Sequence, residues 1–156
     1  MRLHVMSIFV DDRTKARDFY VDKLGFAVKQ DIRIGPHHLL TLVSPDQPGG
    51  MTLRLDSIDR PADAAFQAGC FADRIMAASF EVDDVDAEVA RLRAIGVRFT
   101  IDPWGPLPHF AVFDDTCGNL IGLYQKSDHG DHTMEYMRID VADAFPDDGK
   151  PLPGSA

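Results

Sequence analysis

Cysteine and positive charge are both scarce in this sequence, and each scarcity closes off a class of function. Two cysteines, Cys70 and Cys117, stand far apart with no Cys-x-x-Cys pair. Neither a zinc knuckle nor a disulfide framework is indicated, and reduced thiols are expected. Lys and Arg number 16 against 25 Asp and Glu, a formal net charge of -9. That balance argues against a nucleic acid or an anionic lipid surface as partner, since either requires a basic face. Long apolar runs are missing too, so no membrane-spanning segment is expected. The opening MRLHVMSIFVDD is short for a secretory leader and turns acidic too soon, which makes the cytoplasm the expected location. What is plentiful is apolar character, 45% of 156 residues, enough for a compact core.

The most informative feature is a repeat. Leu3, Val5, Ser7 and Phe9 alternate with His4, Met6, Ile8 and Val10, a period of two with strand formers on both faces, so both faces are expected to be covered. Asp12 then suits a helix N-cap, Ala16, Phe19, Tyr20 and Leu24 recur at helical spacing, and Gly25 supplies the stop. Ala78, Phe80 and Val82 begin the pattern again, followed by Asp83 and Asp84, an apolar stripe of Val85, Val89, Leu92 and Ile95, and Gly96. From Asp11 to Asp83 is 72 residues and from Gly25 to Gly96 is 71, so the register holds. Strand-like segments follow each copy, HHLLTLVS and MTLRLD after the first, HFAVFDD and NLIGLYQ after the second. The unit is a strand, a helix and up to three more strands, used twice. One such unit cannot close its own sheet, so two copies are expected to pair and leave a groove between them.

The stretches VDDRTKARDFYVDKLGF, VDDVDAEVARLRAIGVRF and FDDTCGNLIGLYQ together resemble the vicinal oxygen chelate superfamily, which includes glyoxalase I, extradiol dioxygenases, fosfomycin-modifying enzymes and bleomycin-binding resistance proteins. The resemblance covers residues 1 to 126. It implies an α+β fold of two βαβββ modules, 1–58 and 74–126 with a connector at 59–73, forming a curled, cup-shaped mixed sheet with helices on the outside. Residues 127–156 lie beyond it as a C-terminal extension, rich in proline and glycine at its end and expected to be partly mobile. The resemblance also implies a divalent metal held by four strand residues, acting as a Lewis acid on a substrate with two neighbouring oxygens. Carried over position by position, those ligands fall on Val5, Arg54, Ala77 and Gly122. None of these side chains binds a divalent ion in an ordinary way, so no metal cofactor is expected.

Strand alternation points Ser7, Phe9, Arg54, Asp56, Ser79, Glu81 and Tyr124 into the cup. Arg54 offers a planar fork for a carboxylate or phosphate. Glu81 is the candidate general acid or base, its pKa open to being raised by partial burial. The competing reading is that Arg54 and Glu81 merely neutralise each other as an internal ion pair.

Other candidates carry less. His37 and His38 are adjacent, so only one can face the cup, and His109 falls near its mouth. SDHGDH at 127–132 has a metal-catching composition but no periodic flank. His4 reads as a helix-side residue, buried or edge polar, and Cys70 as a core residue. Cys117 sits in the turn DDTCGN, whose composition is explained by backbone chemistry. Trp104, in DPWGPLPH, is expected on an irregular loop, where it either lids a ligand or packs against its own module.

The functional expectation is a glyoxalase/bleomycin-resistance-like protein that binds a small polar or anionic molecule in its cup without the family metal. Ser7, Phe9, Arg54, Asp56, Ser79, Trp104, His109 and Tyr124 are the candidate contacts, with Glu81 as the catalytic candidate. The alternative is a metal-dependent lyase or dioxygenase of the glyoxalase type, drawing ligands from His37, His38, Glu81, His109, His129 or His132. A third possibility is an inert structural or regulatory cup. The family resemblance further implies a homodimer.

Overall fold

The computed structural model describes residues 2–104 and 110–125. The first module runs β1 (Val5–Val10), α1 (Arg13–Asp18), β2 (Ala27–Ile34), β3 (His37–Val43) and β4 (Thr52–Ser57). A connector helix α2 (Pro61–Ala72) leads to the second: β5 (Met76–Val82), α3 (Val85–Ala94), β6 (Phe99–Trp104), β7 (Phe110–Asp114) and β8 (Leu120–Gln125). The fold is therefore α+β and built of two βαβββ modules.

Each module makes its own four-stranded mixed sheet, in the orders β1-β4-β3-β2 and β5-β8-β7-β6. In both, the first strand pairs in parallel with the last, and the others are antiparallel. The repeat read from sequence is visible in the register: Ser7 lies opposite Arg54 as Ser79 lies opposite Gly122, and Phe9 opposite Asp56 as Glu81 opposite Tyr124. β1 and β5 remain at sheet edges without pairing to one another.

Local chemistry sets the helices. The Asp12 carboxylate accepts from Thr14 N and Lys15 N, and the Asp84 carboxylate from Ala87 N, so each repeat opens on an aspartate cap. α3 buries Val85, Val89 and Leu92 along one stripe, with Asp86 and Glu88 in its first turn and Arg91 and Arg93 in its last, as the helix dipole favours. Gly25 and Gly96 both take a φ of +81°, the left-handed stop that each copy of the repeat reaches.

The first helix is not regular to its end. After Asp18 it widens into a π-turn, Phe19–Lys23, with Leu24 N donating to Phe19 O and Phe26 N to Tyr20 O. The wider turn brings the consecutive Phe19 and Tyr20 both inward, each buried. Phe19 then meets Phe113 of β7, and Tyr20 meets Phe80 of β5.

One core gathers the helix-side residues of both sheets, among them Ile8, Val10, Leu53, Leu55, Phe113, Ile121 and Leu123, with Phe19, Tyr20, Val89 and Leu92 from the helices. The opposite face of β1 is open, contrary to the expectation of two covered faces. Leu3 is 83% and Val5 44% exposed, and Ser7 is exposed beside them. Every residue of the edge strand β2 is exposed as well. His4 is exposed next to the edge strand β1, and Cys70 is half-buried rather than core. Among the described residues no helix is long and apolar enough to cross a membrane.

Candidate functional site

The concave face of the first sheet is a set of rows across strands. Ser7, Arg54 and Thr41 are neighbours in one row, and Phe9 and Asp56 in the next. Arg54 and Asp56 are two residues apart on β4, so strand alternation puts both on this face. Their side chains meet: Arg54 Nε donates to Asp56 Oδ2 at 2.8 Å and Arg54 Nη2 lies 2.7 Å from the same oxygen. The arginine's ion partner is therefore Asp56, not Glu81 as the internal-pair reading had it. Asp56 is the nearer carboxylate, on the same strand and face, whereas Glu81 belongs to the other sheet and is itself exposed. The burial invoked to act on Glu81 is correspondingly absent.

Residues equivalent by the repeat line the second sheet. Phe110 and Tyr124 are Cα partners with rings stacked 5.8 Å apart, and Phe110, Val112 and Leu120 form a small buried cluster with Met76, Ile101 and Tyr124 packed on it. Burial raises the Tyr124 phenol pKa, and a hydrogen bond with Ser79 partly offsets that. Ser79 is exposed.

The four positions where the family places metal ligands do not offer a donor set. Val5 is an exposed aliphatic residue, Arg54 is a cation already paired with Asp56, and Ala77 sits where the register slips between Met76 and Ala78. At Gly122 an added Cβ would lie 2.8 Å from Met76 Sδ, 3.0 Å from the Tyr124 ring and 3.1 Å from Ser79 Oγ, so Met76 would have to shift before any side chain stood there. Among the described residues no three of His, Cys, Asp and Glu gather where they would hold a metal ion. His38 is occupied with Asp31 at 2.6 Å, and His37 is exposed at the start of β3.

Three expectations concern the segment from Trp104 to His109 and the end of the chain. Trp104 does not lie on an irregular loop: it ends β6 and pairs with Phe110. Pro103 is tolerated there because β6 is an edge strand and the register slips between Ile101 and Trp104. His109 lies outside the described residues, as do SDHGDH and the rest of the C-terminal extension.

Cys117 is held in a buried polar knot that is structural in character. The Asp115 carboxylate accepts from Tyr20 Oη, Cys117 N, Asn119 N and Asn119 Nδ2, at 2.7 to 2.9 Å. Burial, reinforced by the Asp115 charge, pushes the Cys117 thiol up to about 12, the reverse of what a nucleophile needs. Gln67 of α2 completes the knot by donating to Phe9 O and Cys117 O.

Sequence reasoning missed one residue at this site. Phe66, next to Gln67 on the connector helix, sets its ring 6.2 Å from that of Phe9 at 76°. The available signal was an aromatic residue in an otherwise small-residue stretch, ADAAFQA, directly before a buried glutamine.

Known proteins resemble this chain in sequence and fold. The chain is 44% identical over 128 residues to uncharacterized protein YurT of Bacillus subtilis (strain 168), covering 81% of this chain and 100% of that one. Among solved structures, UcmS2 superposes with a TM-score of 0.71 at 32% identity, over 81% of this chain and 98% of that one. TnmS3, an antibiotic binding protein from Streptomyces sp. CB03234, superposes with a TM-score of 0.65 at 29% identity, over 81% and 97%. A family model matches residues 2–123. With its paired modules and its register repeat, the chain belongs to the Glyoxalase/Bleomycin resistance protein/Dioxygenase superfamily.

Proposed function

We propose that this protein is a small-molecule binding member of its superfamily, holding an anionic or polar aromatic ligand on its concave face as a homodimer in the cytoplasm, with no metal at the four family positions. The observation that carries the reading is Arg54. It occupies a metal-ligand position, points to the concave face, and keeps part of its guanidinium in solvent while Asp56 fixes its orientation. An oriented, part-desolvated guanidinium is an anion receptor. The likeness to TnmS3, described as antibiotic binding, supports a ligand of drug-like size.

The test pairs metal analysis with ligand binding. Protein purified without chelator is expected to carry only trace metal and to melt at the same temperature before and after EDTA. A panel of carboxylates, phosphates and aromatic antibiotics is expected to yield compounds that raise the melting temperature, by about 2.7 kcal/mol of stabilisation at a hundredfold excess over Kd. Arg54→Ala is expected to remove that shift. Near-stoichiometric metal with an EDTA-sensitive melting temperature would overturn the reading in favour of a metal-dependent lyase or dioxygenase.

A further inference from the structure

The connector helix α2 is fastened by its buried residues and carries two exposed phenylalanines that the fastening does not use, Phe66 and Phe71. Gln67 pins the helix through Phe9 O and Cys117 O, and Asp63 is buried against Arg60. Phe66, between them in sequence, is 63% exposed. Its contact is Phe9, in a T-shaped arrangement with ring centroids 6.2 Å apart.

Phe9 belongs to the concave face. It lies opposite Asp56 in the parallel pair, and Asp56 holds Arg54. The order therefore runs from Phe66 to Phe9 by ring contact, from Phe9 to Asp56 by strand register and from Asp56 to Arg54 by ion pair, from the connector helix into the sheet. Two rings at 76° make a corner, a geometry in which a third aromatic ring finds an edge-to-face partner on one side and a stacking face on the other. Arg54 uses Nε and Nη2 on Asp56 and has further N–H groups to offer.

Spacing sets the size of what fits. Neighbouring strands are about 4.8 Å apart and a two-residue step along a strand is about 6.6 Å, so the Cα atoms of Phe9 and Arg54 are roughly 8 Å apart. A fused two- or three-ring system bearing an acidic group spans that distance; a single small ring reaches one end or the other.

We infer that Phe66 of the connector helix is a specificity-determining residue, seating with Phe9 the planar fused-ring part of an acidic ligand whose anion is bound by Arg54. The inference rests on the anion-binding reading of Arg54 given above. It adds a contact from outside both repeats and a chemical class for the ligand.

Calorimetric titration tests it with three probes, 2-naphthoic acid, its saturated analogue decalin-2-carboxylic acid, and the neutral 2-naphthamide. The wild type is expected to prefer naphthoate over the saturated acid. Phe66→Ala is expected to weaken naphthoate about 2- to 10-fold while leaving the saturated acid unchanged, the range one aromatic contact supplies. Arg54→Ala is expected to weaken both acids and spare the amide. Loss with Arg54→Ala but none with Phe66→Ala would overturn the aromatic corner and leave the anion site standing. No binding of either acid by the wild type would overturn both. Sedimentation of Phe66→Ala completes the test: a changed association state with unchanged naphthoate affinity would make Phe66 an interface side chain and end the proposal.

Discussion

The Tyr20 hydroxyl donates to Asp115 Oδ2 across 2.9 Å in a fully buried contact, joining the helix of one repeat to the strand turn of the other. Burial and the neighbouring carboxylate together hold the phenol far above its ordinary pKa, so it remains a donor at every physiological pH. Asp115 in turn orders the turn around it through Cys117 N and Asn119. Tyr20→Phe removes the donor without changing ring volume and leaves a buried carboxylate oxygen short of one partner. The expected loss is about 1–3 kcal/mol, read as a lower denaturation midpoint at unchanged m-value. An unchanged midpoint would mean that the contact carries no net energy.

Gly118 and Gln67 are fitted to each other. A Cβ at residue 118 would lie 2.7 Å from Gln67 Cδ, so Gly118→Ala is expected to displace the side chain that pins α2. The cost is expected at about 1–3 kcal/mol for the crowding and broken bonds, besides the strain of an alanine at a φ of +94°. A double-mutant cycle separates the two. In a Gln67→Ala background the crowding disappears and only the backbone strain persists, so Gly118→Ala should cost less there. Additive costs would show that the glycine and the glutamine do not interact.

Thiol chemistry distinguishes the two cysteines. With the Cys117 thiol pushed up to about 12 and the residue buried, roughly one molecule in ten thousand carries its thiolate at pH 8. Cys70 is half-buried. Alkylation in the native state is expected to label Cys70 first. Cys117 should react only when the pH is driven toward 12 or the protein is unfolded. Peptide mapping after a timed iodoacetamide pulse reads this directly, and rapid native labelling of Cys117 would contradict the buried knot.

The parts of this structure legible in the sequence are those fixed by neighbours in the chain. Asp12 and Asp84 cap their helices through bonds spanning two or three residues, Gly25 and Gly96 stop each repeat, and period-two alternation placed Leu53 and Leu55 on the core side of β4. The π-turn was not legible, because the contacts of its buried residues lie far along the chain: Tyr20 bonds Asp115, 95 residues away. The partner of Arg54 was ambiguous for a related cause: alternation turns both Asp56 and Glu81 to concave faces, and only the separation of the two sheets decides between them. The expectation that both faces of β1 are covered failed because its strand formers specify a pleat but not what lies over it. Pro103 and its neighbours suggested irregularity, yet an edge strand accommodates a residue without an N–H.

The Arg54–Asp56 pair gives the anion-binding proposal a signed prediction. Asp56 aligns the guanidinium but also neutralises it. Asp56→Asn keeps the shape and a hydrogen-bond acceptor while removing the negative charge, so affinity for a carboxylate ligand is expected to rise by a few-fold and to become more salt-sensitive. Arg54→Lys is expected to weaken binding, since an ammonium lacks the planar fork. Weaker carboxylate binding by Asp56→Asn would show that alignment outweighs charge at this site and that the aspartate is a positioning residue.

The open concave face leads to the last prediction. Among the described residues β1 and β5 each leave one side without a partner strand, every residue of β2 is exposed, and Val5, Ile32 and Ile34 lie on the face that carries Arg54, with Ile34 71% exposed. Exposed apolar edges of this kind are associated with partner surfaces. Because the two modules repeat one another, a twofold axis can set the first sheet of one copy against the second sheet of another and satisfy both at once, a self-complementary contact. The chain is therefore expected to sediment as a dimer. The double substitution Val5→Lys and Ile34→Lys, which places two charges on that face without touching the shared core, is expected to produce monomers that retain the fold by circular dichroism but bind carboxylate probes more weakly. A wild type that is monomeric at high concentration, or a dimer indifferent to both lysines, would mean that the face is closed by something other than a second copy.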